Sequence, residues 1–524
     1  MPADLLLRGG PIYTMDTRLP RCRALAIVDG QVAATGNRDA DLDSLRGPAT
    51  RVVDLNGRAV VPGFVDAHIH FASFGLTRQQ VNLDAAPTLE DGLRLLRDAS
   101  ERLAPGAWLR GRGWDRNRWA RLPTAGDLDA AIGDRPAALA SHDGHSVWLS
   151  SAALRSAGID RNVPNSPGGV IERDLSGEPT GVLSENAQDL VRRTVPEATD
   201  DEVLEAIRQA LPIAAAAGLS GLHNFEDSRS RRAFQALEAA GDLTLRVYHG
   251  VPRGELRKAR DQQLRSGVGS DLFRIGPVKL FADGALGSRT AHLLQPYEGR
   301  ADGYRGVPTL TADELAEEMR HAADASLDLA VHAIGDAAVR AVLNAYATTR
   351  TAYPPLAERL LRIEHAQLIQ PDDLSRLRPL GTIASMQPSH AVADRHTADR
   401  HWGARAEHGY AWRAVLDAGA TLAFGTDAPV ERIEPLFSLH AATTRGGWHA
   451  EQALTLEEAV RAYTLGSAMA ERASQRRGRL TRGMDADLVV LSCDPFVEEA
   501  DALLDTRVDL TVVSGRITFQ GGDL

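Results

Sequence analysis

The sequence predicts an α/β protein built on a (β/α)8 TIM-like barrel, with a small β-sandwich domain made from both termini and a large insertion after the first barrel strand. Three observations predict this architecture. β-like runs occupy both ends of the chain, strands alternate with helical segments between them, and one connection is far too long for a βα loop. The 524-residue chain is long enough for two or three domains.

The two ends of the chain share a β-rich pattern. The first 58 residues alternate short apolar runs with turns, including an Asp29-Gly30 turn of the hairpin type. The last part of the chain repeats this pattern, with apolar runs at 487–491 and 510–514. Neither end can bury a core alone, so we predict one composite β-sandwich domain from residues 1–58 and 475–524.

The middle of the chain alternates candidate strands with amphipathic or Ala-rich helical segments, which is typical of βα units and a parallel sheet. The predicted strands are 59–65, 219–223, 245–249, 275–280, 327–332, 361–364, 382–386 and 421–425. Capping boxes at Thr311-x-x-Glu314 and Thr455-x-x-Glu458 predict the starts of two helices. Eight βα repeats closing into a barrel over 59–71 and 218–474 are the simplest arrangement.

Residues 72–217 separate the first two predicted barrel strands and contain strands, turns and helices of their own. A connection of this length is not a βα loop. We therefore predict an inserted subdomain that covers the barrel mouth.

Composition limits the classes of partner and site. The chain has 59 Lys and Arg against 70 Asp and Glu, a net charge of −11, which argues against a nucleic-acid partner. Two cysteines, Cys22 and Cys493, are too few for a disulfide scaffold or a Cys-rich zinc site, so any metal would need His and carboxylate ligands. The N-terminus does not have the pattern of a signal peptide, and no window approaches the roughly 20 apolar residues of a membrane span. We expect a cytoplasmic protein that acts on a small molecule without a membrane partner; a homodimer stays open.

The clearest local signal is the run VVPGFVDAHIH at 60–70. Side chains alternate along a strand, so His68 and His70 point to the same side and can share one ion. Such a pair alone is more often a polar patch or satisfied core histidines. Other predicted strands also end in residues compatible with a metal: Lys279, His332, His365 and Asp427. These ends meet at one rim of a barrel, where one or two divalent cations would satisfy them all.

Several longer segments carry a family resemblance. They are GWD at 113–115, DGHS at 143–146, KLFADGALGS at 279–288, IEHAQ at 363–367, SMQPSH at 385–390 and GMDADLVVL at 483–491. Together with the strand ends, they make nearly the whole chain resemble the amidohydrolase superfamily. The more specific resemblance is to the branch similar to N-substituted formamide deformylases, of the amidohydrolase family 3 type.

The resemblance implies a set of metal ligands. His68 and His70 would hold the more buried ion with Asp427, and His332 and His365 would hold a second one. Zn²⁺ is the implied cofactor, as one or two ions, and other divalent metals would also fit. Lys279 falls where many relatives carry a carboxylated lysine; a buried neutral amine can add carbon dioxide. The alternatives are a plain lysine beside a single metal or a salt bridge to Asp283.

The resemblance also implies a reaction, the hydrolysis of a carbon-nitrogen bond of amide, N-formyl or N-acyl type in a small molecule. Asp427 would pass a proton from the attacking water to the leaving nitrogen; its alternative role is to cap the next helix. The same site could serve cyclic amide, ester or ring-forming and ring-opening chemistry. A regulatory or ligand-binding protein on a hydrolase scaffold is a third hypothesis, and the complete ligand set argues against it.

Six further residues are candidates for contact with the substrate. Three lie in the insertion and three follow predicted barrel strands: Trp114, Asp115 and His145, then Asp283, Gln387 and His390. For Trp114 the alternative is a place in a hydrophobic core, which is the commoner fate of a tryptophan.

Overall fold

The computed structural model describes residues 1–115, 118–141, 146–166 and 169–521. Residue contacts divide the chain into two compact units. The first unit combines Met1–Phe74 with Ile207–Leu524, and the second is Gly75–Ala206. Among the helices of the described residues, none combines the length and the apolar character needed to cross a bilayer.

The secondary structure of the described residues is as follows. The strands are β1 Leu5–Tyr13, β2 Arg21–Val28, β3 Gln31–Gly36, β4 Arg51–Asp54, β5 Val60–Pro62, β6 Phe64–Ile69, β7 Val81–Asn82, β8 Leu109–Trp114, β9 Ala137–Ser141, β10 Ser146–Leu149, β11 Gly169–Arg173, β12 Pro179–Glu185, β13 Leu219–Asn224, β14 Arg246–Pro252, β15 Phe273–Phe281, β16 Leu329–Ala333, β17 Leu361–His365, β18 Ile383–Met386, β19 Thr421–Phe424, β20 Leu488–Leu491, β21 Val508–Val513 and β22 Arg516–Gln520. The α-helices are α1 Phe71–Gln79, α2 Leu89–Ser100, α3 Ala125–Ile132, α4 Ser151–Ser156, α5 Asp189–Arg192, α6 Asp200–Ala216, α7 Ser228–Ala240, α8 Leu256–Asp261, α9 Ala312–Asp324, α10 Asp336–Ala352, α11 Pro354–Ala357, α12 Pro371–Leu380, α13 Pro388–Trp402, α14 Trp412–Asp417, α15 Pro435–Thr444, α16 Leu456–Arg461, α17 Ser467–Ala470 and α18 Ala502–Asp505.

The β-rich domain of the first unit joins the two ends of the chain. Its strands follow the order β22-β21-β20-β5-β1-β2-β3, and β4 pairs with β1. Alternate apolar residues of these strands form one buried core that includes Leu7, Leu25, Val60, Leu488 and Leu510. Because strands from both termini are needed to bury this core, the prediction of a composite β domain is confirmed.

The barrel of the first unit is an eight-stranded sheet in the order β6-β13-β14-β15-β16-β17-β18-β19. Every neighbouring pair in this order is parallel. Beyond the last strand, the Asp427 N–H donates to the His68 carbonyl at 2.7 Å and the His70 N–H donates to the Ala428 carbonyl at 2.9 Å. These bonds join the first and last strands at their carboxyl ends, so the predicted (β/α)8 barrel is confirmed and is nearly closed at its rim.

The structure differs from the prediction at the first barrel strand. The predicted strand 59–65 is two strands: β5 pairs with β20 in the small sheet, and β6 pairs with β13 in the barrel. Gly63 lies between them, and a Cβ atom there would be 2.3 Å from the buried Ser220 hydroxyl. The chain changes sheets at this glycine, which permits the close approach to Ser220, and a continuous apolar run of sequence does not reveal such a change.

Both predicted capping boxes are present. The Thr311 hydroxyl accepts from the Glu314 N–H and the Glu314 carboxylate accepts from the Thr311 N–H at the start of α9. The same reciprocal pair joins Thr455 and Glu458 at the start of α16. Each box satisfies backbone donors that the first turn of a helix leaves without partners.

The second unit has its own sheet and core. Its strands follow the order β11-β12-β10-β9-β8-β7, and β7, β8 and β9 run parallel. Trp114, Trp119 and Trp148 pack together in its core, with ring centroids 5.9–6.4 Å apart. Its place over the barrel mouth stays a prediction.

Candidate active site

The carboxyl ends of the barrel strands bring the six predicted metal ligands to one place. His68 lies in β6, Lys279 in β15, His332 in β16 and His365 in β17, and Asp427 follows β19. These five side chains and His70 line a single cavity of about 390 Å³. Parallel strands in a barrel all end at the same rim, so residues far apart in sequence become neighbours.

The imidazole rings are close enough to share bound ions. The ring centroids of His68 and His365 are 4.8 Å apart, and those of His332 and His365 are 4.6 Å apart. His70 Nε2 lies 3.3 Å from Asp427 Oδ1, and His68 Nε2 lies 3.8 Å from the same oxygen. One nitrogen or oxygen atom from each of His68, His365 and Asp427 lies within 4.8 Å of the others.

Burial gives most of these groups the protonation states that a cation requires. Burial lowers the pKa of both His68 and His332 to about 4, and it lowers that of His365 well below its usual value. Burial opposes ionisation of Asp427, but the hydrogen bond from His70 and the neighbouring histidines hold the pKa of its carboxyl well below its usual value. Burial also disfavours protonation of His70, yet its contact with Asp427 raises its pKa overall. Neutral imidazoles beside an ionised carboxylate are a donor set that fits Zn²⁺ or a similar divalent cation.

Lys279 has the environment of a modifiable amine. It is 6% exposed, and burial lowers the pKa of its amine to about 8. Its Nζ lies 3.3 Å from His68 Nε2 and 4.8 Å from the centroid of the Phe225 ring. In the described structure no salt bridge joins Lys279 to Asp283, so that alternative is not observed.

A buried carboxylate, that of Glu364, fixes the orientation of His68. Its Nδ1 lies 2.6 Å from Glu364 Oε2. Although burial raises the pKa of Glu364, the Arg362 charge and the His68 hydrogen bond hold it well below its usual value. An ionised carboxylate can only accept, so the neutral His68 ring donates through Nδ1 and leaves the lone pair of Nε2 on the cavity side.

Arg362 holds Glu364 in turn. Its guanidinium donates to both Glu364 oxygens, at 2.7 and 3.1 Å, and both side chains are fully buried. It also donates to the Ala67 carbonyl, the Ser385 hydroxyl and His223 Nδ1. This network crosses the barrel interior and connects several strands directly beneath the cavity.

Two other histidines also have fixed ring nitrogens. His365 Nδ1 donates to the Gln387 side-chain oxygen at 2.9 Å, and His332 Nε2 donates to the Gly284 carbonyl at 2.9 Å. These bonds leave Nε2 of His365 and Nδ1 of His332 for another partner. Outer hydrogen bonds of this kind fix the tautomer and the ring orientation of metal ligands.

Asp66 joins the backbone of the first barrel strand to that of the loop after the last one. Its Oδ1 accepts from the His68 and Thr426 N–H groups, both at 3.0 Å, and its other oxygen accepts from the Thr426 hydroxyl. A Cβ atom at Gly425 would lie 2.4 Å from the backbone nitrogen of His68. The close approach that glycine permits brings His68 and Asp427 together.

Asp427 does not cap a helix, since the next one, α15, begins at Pro435. Its φ is 59°, and His365 and Ala366 have φ values of 70° and 44°. Non-glycine residues rarely adopt this left-handed conformation, and it is concentrated at functional sites. Two of the predicted ligands are therefore held in strained backbone conformations.

The predicted substrate residues on the barrel have different positions. His390 lines the cavity, whereas Gln387 lies behind it and holds His365. The buried Asp283 carboxylate accepts from the N–H groups of His292, Ile334 and Gly335, at 2.8–3.0 Å. Asp283 thus shapes the loops around His332, from which it is 3.5 Å away.

The three candidates in the insertion belong to the second unit. Trp114 is fully buried, and its indole N–H donates to the Leu139 carbonyl at 2.8 Å, which favours the core role over contact with a substrate. Asp115 directly follows β8, and its carbonyl accepts from the Trp119 N–H. His145 lies outside the described residues.

Sequence reasoning assigned no role to five polar residues of this region. Three line the cavity and two lie beneath it: Gln367, Asp394 and Glu431, then Arg362 and Glu364. One signal was present in the strand LRIEH at 361–365, where two charged residues alternate with apolar ones although the strand is central in the barrel. Charges on the inner face of such a strand require buried partners.

Comparison with known proteins shows which proteins the chain is similar to. Residues 51–519 match the model of the amidohydrolase family. The putative amidohydrolase YtcJ of Bacillus subtilis is 33% identical, over 98% of this chain and 98% of its own length. An N-substituted formamide deformylase of Arthrobacter pascens is 28% identical, over 99% and 98% of the two chains. The crystal structure of an uncharacterized metal-dependent hydrolase from Pyrococcus horikoshii superposes with a TM-score of 0.80 at 28% identity, covering 95% of this chain and 99% of that one. The chain therefore belongs to the amidohydrolase family.

Proposed function

We propose that the protein is a metal-dependent hydrolase that cleaves a carbon-nitrogen bond of amide, N-formyl or N-acyl type in a small molecule. The observation that carries this proposal is the convergence of His68, His70, His332, His365 and Asp427 on one cavity, with three of the imidazoles held neutral and the carboxylate held ionised. A divalent ion, which we propose to be zinc, would lower the pKa of a bound water to about 7 and polarise a substrate carbonyl.

The residues around the cavity supply the proton transfers. Asp427 is ionised and faces the cavity, so it would accept the proton of the attacking water. It would then return that proton to the nitrogen of the leaving amine, as general acid-base catalysis requires. His390 Nε2 lies 3.9 Å from Asp427 Oδ2 and has no hydrogen-bond partner among the described residues, so it is placed to donate to a polar group of the substrate.

We further propose that Lys279 carries a carbamate. The lone pair of its neutral amine would attack the carbon of carbon dioxide, forming an N–C bond as one C–O π bond breaks, and an N–H proton would leave to solvent. The lowered amine pKa supports this step because a neutral amine is the reactive form. Mass spectrometry of the native protein should show the added mass of one carbon dioxide, which Lys279→Arg should remove; an unmodified wild-type chain would contradict this part of the proposal.

The main test combines metal analysis with a panel of amides, lactams and esters. We expect one to two equivalents of divalent metal per chain, turnover of at least one amide, and loss of turnover on chelation. His68→Ala should lose metal and activity while its circular dichroism spectrum is unchanged. His321→Ala, which removes an exposed histidine on α9, is the matched control and should keep both. Full activity in His68→Ala would refute the site assignment, and turnover of esters alone would refute the carbon-nitrogen specificity.

A further inference from the structure

The wall of the cavity beyond the predicted metal ligands contains two carboxylates. Asp394 lies on α13, one turn after His390, and Glu431 follows Asp427 by four residues. Both line the same cavity as the histidine cluster. This wall, made of Gln367, His390, Asp394 and Glu431, is called the acidic wall below.

In the part of the chain that the structure describes, no arginine pairs with a carboxylate of the acidic wall. Among the described residues, Glu431 has no salt bridge or hydrogen bond. The adjacent Arg432 pairs instead with Glu434, with its Nε 3.4 Å from a Glu434 carboxylate oxygen. Asp394 accepts from the Tyr410 hydroxyl at 2.6 Å, which is an uncharged donor. Burial raises the pKa of Glu431; His390 opposes this rise, and the charges of Asp394 and Asp427 add to it. Two carboxylates that repel each other at the edge of a cavity favour a cationic partner.

Two buried side chains of the acidic wall also have polar atoms without partners. His390 is 7% exposed and Gln367 is 4% exposed, and a contact of 3.5 Å joins His390 Nδ1 to Gln367 Nε2. His390 Nε2 and Gln367 Oε1 have no hydrogen-bond partner among the described residues. Buried polar atoms are seldom left unsatisfied, so a donor and an acceptor beside a cavity indicate a polar ligand.

Apolar side chains line the cavity alongside these polar groups. Phe281 and Val430 are 48% and 67% exposed, and Leu286 and Ile334 lie on the same cavity. Large apolar groups exposed at a cavity favour contact with an apolar part of a ligand. The lining as a whole therefore combines the metal-ligand cluster, an apolar surface and the acidic wall.

We infer that the substrate is an N-acylated aliphatic diamine, or a compound of the same class, whose amide lies at the histidine cluster and whose free protonated amine binds Glu431 and Asp394. The aliphatic part would contact Phe281 and Val430. Gln367 and His390 would add hydrogen bonds to the polar groups of the substrate. This inference rests on the proposed amide hydrolysis.

The alternative occupant of the acidic wall is a further metal ion. Within the described residues, one group of His, Cys, Asp and Glu side chains is close enough to hold a metal. It consists of His68, His365 and Asp427. The residues of the acidic wall do not form such a group. An organic ammonium group binds through hydrogen bonds to acceptors that can lie farther apart than the ligands of a metal ion. It therefore fits the residues of the acidic wall better than a metal ion does.

The test uses pairs of amides that differ only in charge. N-acetylated diaminobutane carries a terminal ammonium where its isostere N-acetylpentylamine carries a methyl group, and diamines from diaminoethane to diaminohexane vary the length. For the metal-loaded protein we expect kcat/KM to favour the cationic member of the best pair by about 10- to 100-fold, the range of a charge-assisted hydrogen bond. Glu431→Gln and Asp394→Asn should each reduce this ratio by about tenfold or more.

Glu434→Gln is the matched control, because it removes the same charge from the same loop at a residue that does not line the cavity. Its ratio should equal that of the wild type. Isothermal titration with the same amides gives a second measurement that does not depend on turnover. Equal kcat/KM for both members of every pair, or a ratio unchanged in Glu431→Gln, would overturn the inference while leaving amide hydrolysis intact. Tighter binding of the cationic amide without any turnover, lost in Glu431→Gln, would support the acidic wall and refute the hydrolysis.

Discussion

Replacement of Glu364 by glutamine would test whether the buried Arg362–Glu364 ion pair holds His68, a proposed metal ligand, in place. The carboxylate accepts from three donors: Arg362 Nε at 2.7 Å, Arg362 Nη2 at 3.1 Å and His68 Nδ1 at 2.6 Å. A glutamine side chain offers one oxygen and one NH₂ group in the same space. At least one of these donors would then face another donor.

The magnitude follows from the complete burial of the pair. Both side chains are 0% exposed, so the variant leaves the Arg362 charge without its anionic partner inside the barrel. Removing one member of a buried pair costs about 3–5 kcal/mol of stability. If the amide NH₂ faces His68, the ring must change tautomer and place its proton on Nε2, the atom directed at the cavity. Loss of such an outer partner lowers metal affinity by about 10- to 100-fold.

The assay compares metal affinity and unfolding of the Glu364→Gln and Glu358→Gln variants. Glu358 is the matched control: it pairs with Arg359 at the surface and is 76% exposed, so its loss should cost at most about 1 kcal/mol. Metal affinity is measured by competition with a chromogenic chelator, and stability by denaturant titration of the metal-free protein. An affinity within threefold of the wild type, together with the same unfolding midpoint, would refute the positioning role of Glu364.

Two further predictions concern the parts of the fold that support the site. The pKa of Glu458 is lowered to about 2, chiefly by its hydrogen bond to Arg413, so its contribution to stability is present above its unfolded value of 4.5 and is lost as the pH falls toward 2. Glu458→Gln should therefore lower the melting temperature at pH 7 and flatten its decline below pH 4.5; equal shifts at pH 7 and pH 2.5 would contradict this. Gly63→Ala should destabilise the protein by about 1–3 kcal/mol in thermal unfolding, because the new Cβ would overlap Ser220. Gly254→Ala, where a Cβ would have no neighbour within 4 Å, is the control. Equal melting temperatures of the two variants would show that position 63, where the chain passes from one sheet to the other, tolerates a larger residue.

The sequence predicts the barrel because periodicity and strand-end chemistry are local properties. His68 and His70 differ by two positions on one strand, so their common direction follows from the alternation of side chains alone. The four other predicted ligands could be added because each lies at the end of a segment that the sequence predicts to be a strand. Barrel closure then requires these ends to meet, and no knowledge of side-chain contacts is needed.

The acidic wall could not be predicted in the same way. Glu431 lies on a loop and Asp394 lies on a helix among other charged residues, where a carboxylate is normally solvated. What distinguishes them is the cavity that they share with Asp427, and that depends on loop conformations with no periodic signal. The division of the predicted strand 59–65 at Gly63 could not be predicted either, because the pairing partner of each half lies far away in the sequence.

Sequence patterns also give no indication of backbone strain at two of the predicted ligands. Asp427 and His365 adopt left-handed conformations that glycine would adopt without strain, and each costs about 1–3 kcal/mol in a non-glycine residue. Glycine at either position would relieve the strain but would remove a nitrogen or oxygen donor from the cavity. The strain is held in place by the hydrogen bond from the Asp427 N–H to the His68 carbonyl at 2.7 Å and by that from the Ala366 N–H to the Ala333 carbonyl at 3.1 Å. The first of these bonds forms only when the first and last barrel strands meet, so barrel closure also fixes the strained conformation of Asp427. The second bond joins the neighbouring strands β16 and β17, so the conformation of His365 and Ala366 is fixed by the pairing of those two strands.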